Sequence, residues 1–154
     1  MLANLFKDNR DLALLVIRIA FGLIFALFGW RHVQGLQGYI GLYTSIGIPA
    51  PDLMAPFVAW IELLGGLAAL VGIFTRYAGL LLAIVMVVSS ATVKIPGAFQ
   101  IDPATGASRA QDLLGLTNGG GWNIDFCLFA MGVALLFLGP GKIALEMALF
   151  KKEV

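Results

Sequence analysis

From Leu53 to Phe74 the chain runs for 22 residues with one charged side chain, Glu62. At 1.5 Å per residue a helix of that length reaches ~33 Å, enough to cross a hydrocarbon layer of ~30 Å. It has no polar face to turn toward water, whereas in lipid a helix satisfies its own backbone N–H and C=O groups. Glu62 then needs an explanation, because an ionisable side chain at the middle of a span costs ~2.5–3.5 kcal/mol on insertion scales.

Three further runs repeat the pattern. Leu12–Trp30 holds 19 residues with Arg18 as its only charge, and it closes on Trp30-Arg31-His32, an aromatic followed by cations as at a membrane boundary. Tyr77–Val93 holds 17 uncharged residues and leads into Lys94-Ile95-Pro96. Trp122–Leu138 carries Asp125 near its start and stops at Gly139-Pro140-Gly141. The expected fold is all-α: an integral membrane four-helix bundle, one domain over 1–154, with spans at about 12–30, 53–74, 77–95 and 122–138. Composition agrees, at 60% hydrophobic and 12% charged with a mean hydropathy of +0.93, against ~45–50% and ~25% in soluble domains.

The connections are uneven. Met1–Asp11 mixes Leu2, Leu5 and Phe6 with charges and reads as a short interfacial helix or a frayed end; no small-residue cleavage site follows the first apolar run, so a retained span is expected rather than a signal peptide. Val33–Asp52 carries Leu36, Tyr39, Ile40, Leu42 and Tyr43 and is expected as an interfacial helical segment between helices 1 and 2. Its prolines end it and set up the next helix, with Asp52 as N-cap. Thr75-Arg76 makes a tight turn, residues 96–121 a long polar loop, and Lys142–Val154 an amphipathic tail with Ile143, Met147 and Phe150 opposed to Lys142, Glu146, Lys151 and Lys152. Six cations (Lys7, Arg10, Arg76, Lys142, Lys151, Lys152) share the side of the termini and three (Arg31, Lys94, Arg109) the other, which predicts an inner cell membrane protein with both termini cytoplasmic.

Several function classes lack a basis in these residues. A net charge of +1 without basic clusters gives no reason to expect nucleic acid as a partner. A single cysteine, Cys127, leaves no internal disulfide, redox pair or cysteine zinc site, and a single histidine, His32, supplies no ligand set for a metal or haem centre. No metal and no covalently held cofactor are expected.

Five ionisable residues lie in or against the spans: Arg18, His32, Glu62, Lys94 and Asp125. Arg18, Gly22, Phe25, Gly29 and His32 are spaced 4, 3, 4 and 3, one face of a helix; Ala55, Ala59, Glu62, Gly66 and Ala69 form a second face. Small residues beside a charge let helices approach closely, so both faces should look into the bundle. Span three offers Ala83, Val87, Ser90 and Lys94, and span four offers Asp125, Phe129, Gly132 and Leu136. Arg18 lies ~18 Å below Trp30 and Glu62 ~14 Å below Leu53, a difference that an arginine side chain spans. The expectation is an Arg18–Glu62 pair, either purely structural or also the floor of an outward polar pocket shared with His32, Lys94 and Asp125. For Lys94, His32 and Asp125, near helix ends, simple hydration is the alternative reading.

Set in order, these residues resemble the DoxX family. The resemblance rests on Gly47-Ile48-Pro49-Ala50-Pro51, Trp60-Ile61-Glu62-Leu63-Leu64-Gly65-Gly66 and Gly72-Ile73-Phe74-Thr75-Arg76, with Arg18 inside Leu15–Gly22, and Gly119–Asn123 and Leu138–Lys142 bordering the last span. The acid that many relatives carry directly after the glycine run is displaced here to Asp125, and the 96–121 loop is longer than usual. The resemblance implies a four-helix membrane protein. It also implies a redox-associated, quinone-linked membrane subunit, in which the polar pocket takes a quinone and electrons pass to or from a partner redox protein. The alternative is a non-enzymatic protein that binds lipid or a small apolar ligand or assists assembly. A proton or ion pathway would need a homo-oligomer. No residue is assigned a catalytic role.

Overall fold

A computed structural model of the chain describes residues 9–98 and 122–150. Expectations for the first residues, most of the 96–121 loop (with Arg109) and the last four residues fall outside the described residues. Within them, every regular element is helical: α1 Arg10–Gln34, α2 Leu36–Ser45, α3 Pro51–Val71, α4 Thr75–Ser89, a π-helical turn Ser90–Lys94, α5 Ile95–Ala98, α6 Trp122–Leu138 and α7 Leu145–Phe150. Three stretches are long and apolar enough to cross a membrane: Arg10–Gln34, Pro51–Val71 and Thr75–Lys94. The 17-residue α6 is apolar but shorter.

α1 and α3 pack antiparallel with their backbones in contact. A Cβ on Gly22 would stand 2.6 Å from the Leu70 nitrogen; one on Gly29 would strike the Leu63 backbone, and one on Gly66 the backbone of Ala26. The two small-residue faces read from the sequence are indeed interior, with Arg18, Gly22, Phe25, Gly29, Ala55, Ala59, Glu62, Gly66 and Ala69 all buried. α4 and α6 make a second close pair, in which a Cβ on Gly79 would lie 2.7 Å from the Gly132 carbonyl. Its interior face is rotated from the expected one: Ala78, Leu82, Ala83 and Met86 are buried, while Val87 turns outward. Phe21 and Phe25, edge-to-face at 4.8 Å, fill the centre with Leu82, Leu128 and Leu135.

Several borders differ from the expectation. Thr75 and Arg76, expected as the tight turn, are the first residues of α4, and the turn lies at Gly72, Ile73 and Phe74. Asp52 is not the N-cap of α3. The helix starts at Pro51, whose fixed φ suits the first helical position, and Ala50 precedes it with φ 49°. The tail also turns differently, because Glu146, expected on the polar face, is fully buried while Ile143 and Leu145 are exposed. Its backbone N–H donates to the Gly72 carbonyl at 3.0 Å, drawing the side chain under the bundle toward the charge of Arg18.

Candidate functional site

The two ends of the molecule use their charges differently. At one end Arg18 is buried and donates only to backbone carbonyls: Nε to Ala69 (3.1 Å), Nη1 to Pro140 (2.8 Å) and Ile143 (2.7 Å), and Nη2 to Leu70 (3.3 Å). The Ala69 and Leu70 carbonyls are groups that the end of α3 leaves without partners, and those of Pro140 and Ile143 belong to the non-helical segment after α6. Gly72, at φ 81°, turns the chain out of α3, and a Cβ there would meet the guanidinium at 2.5 Å. Arg76 does the same for α6, reaching the Leu136 and Phe137 carbonyls at 2.8 and 3.1 Å, and Arg10 reaches that of Leu138 at 3.3 Å. Asp11 closes the ring by accepting from the Lys142 backbone N–H at 3.0 Å.

The Arg18–Glu62 pair does not form. Glu62 meets His32 instead, Oε2 to Nδ1 at 2.6 Å. Leu53 and Trp30 are not at one depth: the register sets Gly29 against Leu63 and Gly22 against Leu70, so Glu62 comes level with His32 and Arg18 with the last turn of α3. Arg18 and His32 are ~21 Å apart along α1.

Around that pair lies a cavity of about 580 Å³ between α3 and α4, roofed by α2. Its walls are largely aliphatic and aromatic: Phe28, Met54, Val58, Ile61, Ile84 and Val85 among them. The His32 ring stacks on Tyr39, with centroids 3.9 Å apart and planes within 3°, and the Tyr39 and Tyr43 hydroxyls are 3.2 Å apart. His32, Glu62, Lys94 and Asp125 all line this cavity; Arg18 does not. The Glu62 side chain is 6% exposed and that of His32 33%, so the pair runs from the interior to the surface. Asp125 accepts a hydrogen bond from the Ser90 hydroxyl at 3.1 Å, on the π turn. On α2, burial above all, then the negative charge of Glu62 and the hydrogen bond to Tyr43, push the Tyr39 hydroxyl well above the usual tyrosine range. Burial also raises Tyr43, although its hydrogen bond to Tyr39 pulls the other way.

The tyrosines and Ser90 were not among the candidates read from the sequence. Tyr39 and Tyr43 follow at four-residue spacing, a signal of a shared face, but only the turn at Gly35 folds that face over His32.

A family model, DoxX, matches residues 13–95, from α1 through the π turn. The chain belongs to the DoxX family. Its DoxX-matched part contains both Arg18 and the Glu62–His32 pair, whereas Asp125 and α6 lie beyond it. The chain is 29% identical over 145 residues to the Bacillus subtilis (strain 168) protein named "Putative oxidoreductase CatD", covering 94% of this chain and 92% of that one. It is 29% identical over 146 residues to the Escherichia coli (strain K12) inner membrane protein YqjF, covering 95% and 98%. A third similarity, 35% over 71 residues, is to inner membrane protein YphA of the same organism, covering 46% and 51%. No solved structure matches. Family, inner membrane relatives and three span-length apolar helices together make this a DoxX family membrane protein in a lipid bilayer.

Proposed function

We propose that the chain is one four-span domain, α1, α3, α4 and α6 crossing the inner membrane, and that the cavity at the His32 end binds the head of a quinone as substrate for a redox-associated membrane subunit. The observation that carries this reading is the Glu62–His32 pair set into an otherwise apolar cavity of about 580 Å³, inside the ~300–1,000 Å³ range of small-molecule sites. A quinone is a flat apolar body with two carbonyl acceptors. Donors lining the cavity for them include the Tyr39 hydroxyl, the Lys94 ammonium and the Arg31 guanidinium, and Glu62, linked to the surface through His32, exchanges the proton that accompanies electron transfer. Electrons come from or go to a partner redox protein. The name of the Bacillus relative, a putative oxidoreductase, supports the same reading. The excess of cations at the Arg18 end, with Arg10, Arg76 and Lys142, favours that end as the cytoplasmic one.

A menaquinone or ubiquinone analogue should raise the thermal stability of the purified protein, and Glu62→Gln should reduce that response by about tenfold in apparent affinity. If no quinone stabilises the wild-type protein, the redox reading fails. The second reading, a non-enzymatic binder of a small apolar ligand, is supported by the aliphatic walls. It predicts a co-purifying lipid or apolar molecule detectable by native mass spectrometry.

A further inference from the structure

Beside the main cavity lies a second one of about 290 Å³, between the π turn and α6. Two residues, Met86 and Asp125, line both, so they are the partition between them. The far rim of the smaller cavity is Val87, Ile95 and Phe126, all exposed on the apolar outer surface where hydrocarbon lies. Ser90 stands at the partition and donates to Asp125 across the gap between α4 and α6.

The local sequence explains why the helix is open here. Pro96 has no N–H, and its ring would collide with the Thr92 carbonyl in a regular α-helix. The chain takes one extra residue into the turn, so that the Ile95 N–H bonds to the Ser90 carbonyl, five residues back. A π turn widens the helix and leaves a packing gap beside it, and such turns recur at functional positions. A cross-helix hydrogen bond from a serine is a weak closure compared with the glycine-to-glycine backbone contact that seals the same two helices at Gly79 and Gly132.

We infer that the gap between the π turn and α6 is a lateral portal through which an apolar ligand dissolved in the bilayer reaches the main cavity, with Met86 and the Ser90–Asp125 hydrogen bond as its gate. This rests on reading the main cavity as a ligand pocket, but not on the ligand being a quinone. A hydrophobic molecule then never has to leave the hydrocarbon layer to reach Glu62 and His32.

The test uses a thiol inside the main cavity. Ser89 lines it and is nearly isosteric with cysteine, and Cys127, exposed elsewhere, is first replaced by alanine. Full-length Ser89→Cys protein in lipid nanodiscs is treated with a long-chain N-alkylmaleimide dissolved in the bilayer and, separately, with a sulfonated maleimide confined to water. The portal requires labelling by the alkyl reagent. Filling the rim with Ala91→Trp should slow that labelling by about tenfold, and Ser90→Ala, which removes the gate's hydrogen bond, should speed it. Leu23→Trp, exposed on α1 and lining neither cavity, should leave it unchanged. Labelling by neither reagent, faster labelling by the sulfonated one, or a rate indifferent to Ala91→Trp would each overturn the portal. Because labelling does not depend on quinone recognition, a protein that binds no quinone but shows these rates retains the portal and loses only the quinone reading.

Discussion

The Arg18 end and the Glu62 end of the bundle each bury a charge, and they spend it on different partners. Arg18 is held by four backbone carbonyls from α3 and from the segment after α6, so its partners cannot rotate away. Glu62 is held by one side chain, His32, which is itself stacked on another, Tyr39. The first arrangement completes the hydrogen bonding at the end of α3 and ties the segment after α6 to it. The second lines the cavity of about 580 Å³. A charge locked to backbone is built for rigidity, whereas a charge on a chain of side chains with an apolar space beside it can exchange its partner for a ligand.

The sharpest way to break this contrast is at Arg18. Arg18→Ala strands the Ala69, Leu70, Pro140 and Ile143 carbonyls, and an unmet buried polar group costs about 1–3 kcal/mol. A loss of about 3–5 kcal/mol is expected once relaxation and water recover part of the sum. Arg18→Lys should recover little, since one ammonium cannot reproduce the fork that meets four oxygens. Thermal unfolding in detergent measures both variants. A fully stable Arg18→Lys protein would show that charge alone, without the guanidinium geometry, holds that end.

Gly29→Ala comes next. The added methyl points at the Leu63 and Glu62 backbone, which cannot swing aside as a side chain could. Overpacking of this kind costs about 1–3 kcal/mol, toward the upper end here. Because Glu62 sits at that contact, ligand response should fall along with stability. Gly38→Ala, with open space around the new Cβ, is the matched control and should change neither. A Gly29→Ala protein with wild-type unfolding temperature would mean that α1 and α3 are less tightly apposed than their glycines imply.

The inward faces of α1 and α3 were legible in the sequence because glycine and alanine at 4–3 spacing leave a helix only one side on which to approach another. The partner of Glu62 was not legible. Depth counted from Trp30 and from Leu53 assumes that the two residues are level, yet α3 begins alongside α2, above the end of the first apolar run, and the whole register shifts. The π turn was also hidden, since Pro96 announces a disturbance without saying whether the helix will break, kink or widen. Glu146 looked like one more residue on a polar tail face. Its burial depends on Arg18, 128 positions earlier, and on the Gly72 carbonyl, neither of which local periodicity can reveal.

A double-mutant cycle on His32→Gln and Glu62→Gln sharpens the other side of the contrast. If the pair is the exchangeable kind, each single change should cost about 1–2 kcal/mol and the double change little more, a coupling of about 1–2 kcal/mol in the absence of ligand. The coupling should shrink when ligand replaces one partner. A coupling near zero would mean that the 2.6 Å contact contributes nothing to the fold, and an unchanged coupling under saturating ligand would mean that the pair does not open.

The smallest expected effect concerns Tyr39, on α2 over the cavity. Its hydroxyl is held protonated by burial and by the negative charge of Glu62. Above pH ~10 the unfolded chain releases this proton while the folded one retains it, so the folded state binds more protons and stability must fall as pH rises through that region. Glu62→Gln removes one of the two charges that would otherwise confront each other, so the Tyr39 pKa should move down and the alkaline loss of stability should become shallower. Ultraviolet absorbance of tyrosinate during an alkaline titration reads the first, and unfolding at successive pH values reads the second. The shift is modest because burial, the larger cause, is untouched by the substitution. If Tyr39 ionises at the same pH in both proteins, Glu62 does not act across the stacked His32 ring, and the polar groups of this end are separate contacts instead of one connected chain.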